Sequence, residues 1–343
     1  VKPDAYQAID NFYTTTIYEK GAELIRMLRT LLGEQRFMRG MALYFRRHDG
    51  EAATTNDFVS AIVEGAQQYG QPLGFDPAQF ERWYLQAGTP TVRVQRQWEP
   101  EIGRLTLRFA QNTAPTPGQP DKQPLVIPLL WAVVDSDGVT GDESLLVLDQ
   151  SEQTVVVDGL LTQPQPPALS LFRQFSAPVR WQAEQSPEEL FHLFAYDNDS
   201  FARWDAGQQL WQRLLLARAA GAADAALEHQ MQDALAVLLA DDGEQDPAVL
   251  ATLLSFPGSA ELESLQSVAD PLAIYLAGCA LREQFGTALA KPLQRRLEQL
   301  QPHLAQPWPA GQGERQLTGL IWSWLSAAGD QAVRQQALDA VSG

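Results

Sequence analysis

The feature that most restricts how this chain can fold is a switch in hydrophobic period, from about 3.6 residues to 2 and back. Before Pro90 the apolar positions recur at helical spacing. Leu24, Met27, Leu28, Leu31 and Leu32 form one stripe, and Phe37, Met41, Leu43, Tyr44 and Phe45 follow a break at Gly33. Thr54-Thr55-Asn56-Asp57 offers capping oxygens to a further helix through Phe58, Val59 and Ile62. Asp76-Pro77 sets a cap before a proline in the first helical position, opening a helix from Phe80 to Ala87 that Gly88 ends.

After Pro90 the period changes. Thr91 to Gln97 and Arg104 to Ala110 alternate apolar and polar residues, as half-buried strands do. Leu125 to Val134, Leu145 to Leu148 and Thr154 to Val157 are further strand-like runs, and Val179 to Gln182 closes the set. Proline and glycine cluster between them, so a small antiparallel β-sandwich is expected. From Ser186 the helical period returns, with Ser186-Pro187-Glu188-Glu189 as a capping box and Asp246-Pro247 and Asp270-Pro271 as further helix starts. Short turns between these helices favour a solenoid-like array of antiparallel hairpins, without a clean sequence repeat. The last residues, 330–343, read as one more helix with no partner in view. The expected fold is thus multidomain and mainly α, divided at residues 1–90, 91–183 and 184–343.

Composition narrows the function. With 343 residues, 45% hydrophobic, the chain can build two or three cores. A formal net charge of −17 argues against a nucleic-acid backbone or an anionic membrane as partner. No apolar run is long enough to span a bilayer. The single cysteine, Cys279, excludes an internal disulfide framework, fits a reducing cytoplasm, and reads as a small buried hydrophobe on a helix. The chain opens on Val1-Lys2-Pro3, which reads like the interior of a longer protein, so a processed or shortened chain is expected.

The four histidines, His48, His192, His229 and His303, are far apart in sequence, and there is no His-Glu-x-x-His and no cysteine pair. A zinc site within this chain is not expected. No Gly-x-Ser-x-Gly or phosphate-cradling glycine loop occurs either, and Asp241, Asp242, Glu244 and Asp246 suit a loop and helix cap better than a calcium loop. What remains is the stretch N-F-Y-T-T-T-I-Y-E-K-G-A-E, residues 11–23, with Tyr13 and Tyr18. Aromatic residues at a helix entry commonly pack into a core. A positioned phenol can instead donate a hydrogen bond to an oxyanion forming in acyl transfer. The residue pattern leaves both readings open.

This stretch closely resembles the region downstream of the zinc site in the M1 family of zinc metalloaminopeptidases. Further segments carry the resemblance: Leu43-Tyr44-Phe45 with Arg47-His48-Asp49-Gly50, Phe80-Glu81-Arg82-Trp83-Tyr84 with Gln86-Ala87-Gly88-Thr89-Pro90, Phe175-Ser176-Ala177-Pro178-Val179, and Asp199 to Asp205. It is dense to about Asp205 and thinner beyond. It implies the last helices of a thermolysin-like catalytic domain, then a small β-sandwich, then part of an α-helical domain, in the order derived above.

By the same resemblance, Tyr18 corresponds to the family's catalytic tyrosine, which stabilises the tetrahedral intermediate on the face opposite zinc. Tyr13 is a candidate for lining the pocket of the N-terminal side chain, with packing as its other reading. Lys20 and Gly21 serve local structure. The implied cofactor is zinc, but the chain contains neither the His-Glu-x-x-His ligands with their general-base glutamate nor the Gly-x-Met-Glu-Asn amine-binding motif. The expected partners are peptides with a free N-terminus, the whole enzyme is expected to be a monomer, and this chain alone is expected to be inactive. The alternatives are a metal-free module of sandwich and helical array that binds peptides or proteins, and a zinc-free scaffold of the same fold.

Overall fold

The computed structural model describes residue 8 and residues 14–68, 70–240 and 245–342. The chain divides into two compact units, Val1–Glu184 and Gln185–Gly343.

In the first unit a π-helical turn, Thr16–Lys20, runs directly into α1 (Gly21–Leu32). The stripe Leu24, Met27, Leu28, Leu31 and Leu32 is the buried face of α1, as its spacing predicts. Gly33, at φ 74°, ends α1 and leads into α2 (Glu34–His48). Phe37 and Leu43 are buried on α2, whereas Phe45 is 56% exposed. Two glycines bring α2 onto α3 (Thr55–Gln67). A Cβ on Gly40 would stand 2.5 Å from Ile62 Cα, and one on Gly65 would stand 2.5 Å from Gly40 Cα. The helices therefore meet backbone to backbone.

The expected caps form. Asp57 N donates to Thr54 Oγ1 at 3.2 Å and Thr54 N to Asp57 Oδ2 at 2.8 Å, a complete capping box. Asp76 Oδ1 accepts from Ala78 N at 2.9 Å. The single helix expected there is instead two short ones, α4 (Pro77–Phe80) and α5 (Arg82–Leu85). It stops early because Gln86 is extended and exchanges hydrogen bonds with the backbone of Gln123.

The sandwich pairs a four-stranded sheet, in the order β5-β2-β1-β7, with a three-stranded sheet, β4-β3-β6. Its strands are β1 (Pro90–Glu99), β2 (Arg104–Thr113), β3 (Ile127–Val134), β4 (Ser144–Leu148), β5 (Glu152–Val157), β6 (Ala168–Leu171) and β7 (Arg180–Ala183). Two features depart from the sequence reading. The closing strand β7 runs parallel to β1, with Thr91 opposite Arg180, so the sandwich is not wholly antiparallel. The chain reaches β7 by crossing from β6, in the other sheet, and alternation along a strand carries no information about direction. β6 itself was not expected: all four of its residues are buried, so the polar half of the alternation is missing. Val92, Leu107, Phe109 and Leu129 of the sandwich share one continuous core with Leu24 and Leu28 of α1.

The second unit is helical: α6 (Pro187–Tyr196), α7 (Ser200–Ala219), α8 (Ala225–Ala240), α9 (Pro247–Leu254), α10 (Ser259–Ser264), α11 (Pro271–Ala288), α12 (Ala290–Leu300), α13 (Gln312–Ala327) and α14 (Gln331–Ser342). Ser186, Asp199, Asp246 and Asp270 each cap the helix that follows. Trp211, Phe256, Phe285 and Trp324 form its aromatic centre, with Trp211 and Phe285 centroids 5.4 Å apart. Beside it lies a polar network. Arg218 Nη2 donates to Glu228 Oε1 at 2.8 Å, and Gln284 Nε2 donates to Glu228 Oε2 at 2.8 Å.

The last helix does have a partner. α14 packs on α13, with Val333 buried and Arg334 Nη2 donating to Ser326 O at 2.6 Å. Cys279 is half-buried, more open than the buried position expected of it. No described helix is long and apolar enough to cross a membrane.

Candidate active-site segment around Tyr18

The turn that carries Tyr18 is built from short-range backbone bonds. Ile17 N and Tyr18 N both donate to Thr14 O, at 3.0 and 3.2 Å, and Gly21 N donates to Tyr18 O. None of the residues of Thr16–Lys20 is fully buried, and Ile17 and Lys20 are half-buried. A π-helical turn widens the helix, and such turns recur at functional positions. Tyr18 is 59% exposed here, so its ring is not part of the core. Tyr84 is the contrasting case: it is buried, and burial pushes its phenol up to about 12. Tyr13 lies outside the described residues.

The C-terminal end of the turn is tied across the unit. Lys20 Nζ donates to Gly88 O at 3.0 Å and sits 5.6 Å from the centroid of the Trp83 ring. Burial, then the positive charge of Lys122, hold the Lys20 ammonium below its usual range. Trp83 is fully buried and donates from Nε1 to Val126 O at 2.7 Å. Lys122 Nζ donates to Ala87 O at 3.0 Å, and Gln119 Nε2 to Leu85 O at 3.0 Å, so the sandwich grips the same 85–88 segment. On the next turn of α1, Arg26 donates to the carbonyls of Gln174 and Phe175 and pairs with Glu23.

Lys20 therefore does more than serve local structure: its hydrogen bond spans 68 positions of sequence. Nothing in the sequence signals this, because the acceptor is a peptide carbonyl. A cleft of about 430 Å³ opens beside Gly33, but none of its lining residues belongs to the Tyr18 turn.

Among the described residues no three His, Cys, Asp or Glu side chains come together. His48 Nδ1 faces Glu51 at 3.7 Å and His229 Nε2 faces Asp233 at 3.7 Å, each a pair rather than a ligand set. What the segment can offer chemically is an exposed phenolic donor on a braced turn.

Comparison with known proteins sets this geometry in context. The model of the peptidase family M1 domain matches residues 1–78, which include Tyr18. A domain of unknown function with an Ig-like fold matches residues 88–184, and one with ARM repeats matches residues 187–343. Aminopeptidase N of Caulobacter vibrioides is 42% identical over 343 residues, all of this chain and 37% of that protein. Aminopeptidase N of Escherichia coli is 39% identical over 304 residues, 85% of this chain and 34% of that protein. The crystal structure of Legionella pneumophila aminopeptidase A in complex with aspartic acid superposes with a TM-score of 0.83 at 25% identity, over 98% of this chain and 38% of that one. The chain thus spans little more than a third of the length of these relatives. From the M1 match, the whole-chain likeness to aminopeptidase N and the shared fold, it follows that the chain belongs to the M1 peptidase family.

Proposed function

We propose that this chain is part of a zinc-dependent aminopeptidase that removes N-terminal residues from peptides, with Tyr18 as its transition-state oxyanion donor. The observation that carries the reading is the exposed phenol of Tyr18 on a braced π-helical turn, inside the region matched by the M1 domain. A phenolic O–H held at fixed height donates more strongly to the oxygen of a tetrahedral intermediate than to a neutral carbonyl, because charge develops on that oxygen. The names of the relatives support aminopeptidase activity in the longer protein. Zinc is its proposed cofactor, held by residues outside those the structure describes.

Tyr13 is proposed to line the pocket of the N-terminal residue. The substrates are peptides with a free N-terminus, and the enzyme is proposed to act as a monomer in the cytoplasm. This chain by itself is proposed to be inactive.

The test is an assay of an alanyl or arginyl chromogenic amide with this chain and with the longer gene product, metal content being measured on both. Turnover and about one zinc per chain are expected only in the longer protein, as for a three-ligand catalytic site. Zinc-dependent turnover by this chain alone would overturn the reading, and a longer protein without turnover or zinc would favour a scaffold or binding module.

A further inference from the structure

The Lys20 side chain is spent in an unusual way. A lysine beside an exposed turn ordinarily extends into water, where its ammonium is fully hydrated. Here the ammonium is turned inward, onto Gly88 O at 3.0 Å and toward the face of the buried Trp83 ring. No carboxylate pairs with it among the described residues, and a like charge, Lys122, lies close enough to be felt. Desolvating an ammonium for one neutral acceptor and a ring face is costly, so on electrostatic grounds alone this is a poor place for a lysine.

The turn itself explains what the arrangement achieves. No residue of Thr16–Lys20 is fully buried, so this stretch lies at the edge of the core rather than inside it. Its N-terminal side rests on two hydrogen bonds to Thr14 O. Its C-terminal side is held by Lys20, two residues beyond Tyr18, on a platform that is rigid for independent reasons: Trp83 is buried and bonded to Val126 O, and the 85–88 segment is gripped by Lys122 and Gln119.

We propose that Lys20 is a positioning residue for Tyr18: through Gly88 O and the Trp83 ring it fixes the π-helical turn, so that the phenol is presented in one orientation to the reacting carbonyl. The proposal rests on Tyr18 being the oxyanion donor. Lys20 touches no reacting atom; it removes rotational freedom from the residue that does. Misplacement of a catalytic group by about 1 Å can cost on the order of 10²-fold in rate, so loss of the brace acts on kcat more than on KM.

The test is a double-mutant cycle in the longer, zinc-containing enzyme, with Lys20→Met, Tyr18→Phe and the pair, each checked for folding by thermal melting. Lys20→Met is expected to lower kcat by about 10- to 100-fold with KM within about twofold. In the Tyr18→Phe background the same substitution is expected to change kcat by less than about twofold, because the group it positions is already gone. Lys20→Gln keeps a donor for Gly88 O and is expected to recover much of the lost kcat; it carries the cycle if Lys20→Met does not fold.

Equal losses in both backgrounds, or an unchanged kcat in Lys20→Met, would overturn the positioning role while leaving Tyr18 in place. Failure of both Lys20 variants to fold would assign Lys20 to stability and overturn it too. An unchanged kcat in Tyr18→Phe would remove the oxyanion reading itself, and the role of Lys20 with it.

Discussion

The two units of this chain are held together by different means. In the Val1–Glu184 unit, side chains of the leading helices reach across to backbone carbonyls: Lys20 to Gly88, Arg82 to Pro124 at 2.7 Å, Gln79 to Asp149 at 2.6 Å, and Trp83 to Val126. In the Gln185–Gly343 unit the centre is aromatic, Trp211, Phe256, Phe285 and Trp324, and next to backbone-directed bonds such as Arg334 to Ser326 O it holds a side-chain network of Arg218, Glu228 and Gln284. The first arrangement suits a segment that must stay exposed and yet hold its angle. The second suits a stacked array whose helices bury their faces on one another. If Tyr18 acts as proposed, the difference teaches that the ties holding its turn and the apolar centre of the helical unit can be altered separately.

The sharpest way to break that separation is Tyr18→Phe in the longer enzyme. A drop of about 10²–10³ in kcat with little change in melting temperature is expected from loss of one oxyanion donor. An equal loss of stability with unchanged kcat would make Tyr18 structural instead.

Trp324→Ala attacks the other side of the comparison. It empties the aromatic centre of the helical unit and is expected to cost about 3–5 kcal/mol in denaturant unfolding of this chain. A loss below about 1 kcal/mol would show that this centre does not carry the unit. Gly286→Ala tests the same place by crowding it. A Cβ there would stand 2.3 Å from Trp324 O, so a loss of about 1–3 kcal/mol is expected, and neutrality would mean that α11 and α13 can separate freely.

The smallest effect concerns Asp205. Burial, offset in part by the Gln209 Nε2 hydrogen bond at 2.9 Å and helped by the charge of Glu261, raises its carboxyl to about 6. The residue as a whole is only half-buried, but its carboxyl is the shielded part. A folded pKa above the unfolded one means that the folded state binds the extra proton between pH 3.8 and about 6. The stability this gives is complete at the acid end and is lost as pH rises through about 6. Asp205→Asn is therefore expected to stabilise the helical unit at pH 7, by about 1–2 kcal/mol, and to do little at pH 4. Equal melting shifts at both pH values would remove the titration from the account.

Much of the fold was legible in the amino acids. The stripe of α1, the Thr54–Asp57 box, the Asp76 cap and the proline-opened helices after Ser186, Asp246 and Asp270 all form as their spacing requires, while the helix after Asp76 breaks into two short ones. The places where sequence reasoning failed share a cause. β6 is too short and too buried to alternate. β7 shows its strand character but not its parallel direction. α14 shows an amphipathic helix but not that α13 receives it.

The candidate site divides in the same way. The text around Tyr18 marked it, while its exposure, its π-helical turn and the reach of Lys20 emerged only in three dimensions.

The sequence by itself determined the order of helical block, sandwich and helical array, the helix starts, and kinship with M1 peptidases. These follow from periods of 2 and 3.6 residues, from caps a few residues long, and from runs of matching text, all of which are local. Only the tertiary structure decided which strand runs parallel, which helix receives α14, and what holds the Tyr18 turn. Every residue carries a carbonyl, so a brace that ends on Gly88 O leaves no mark in the identity of the residue that accepts it.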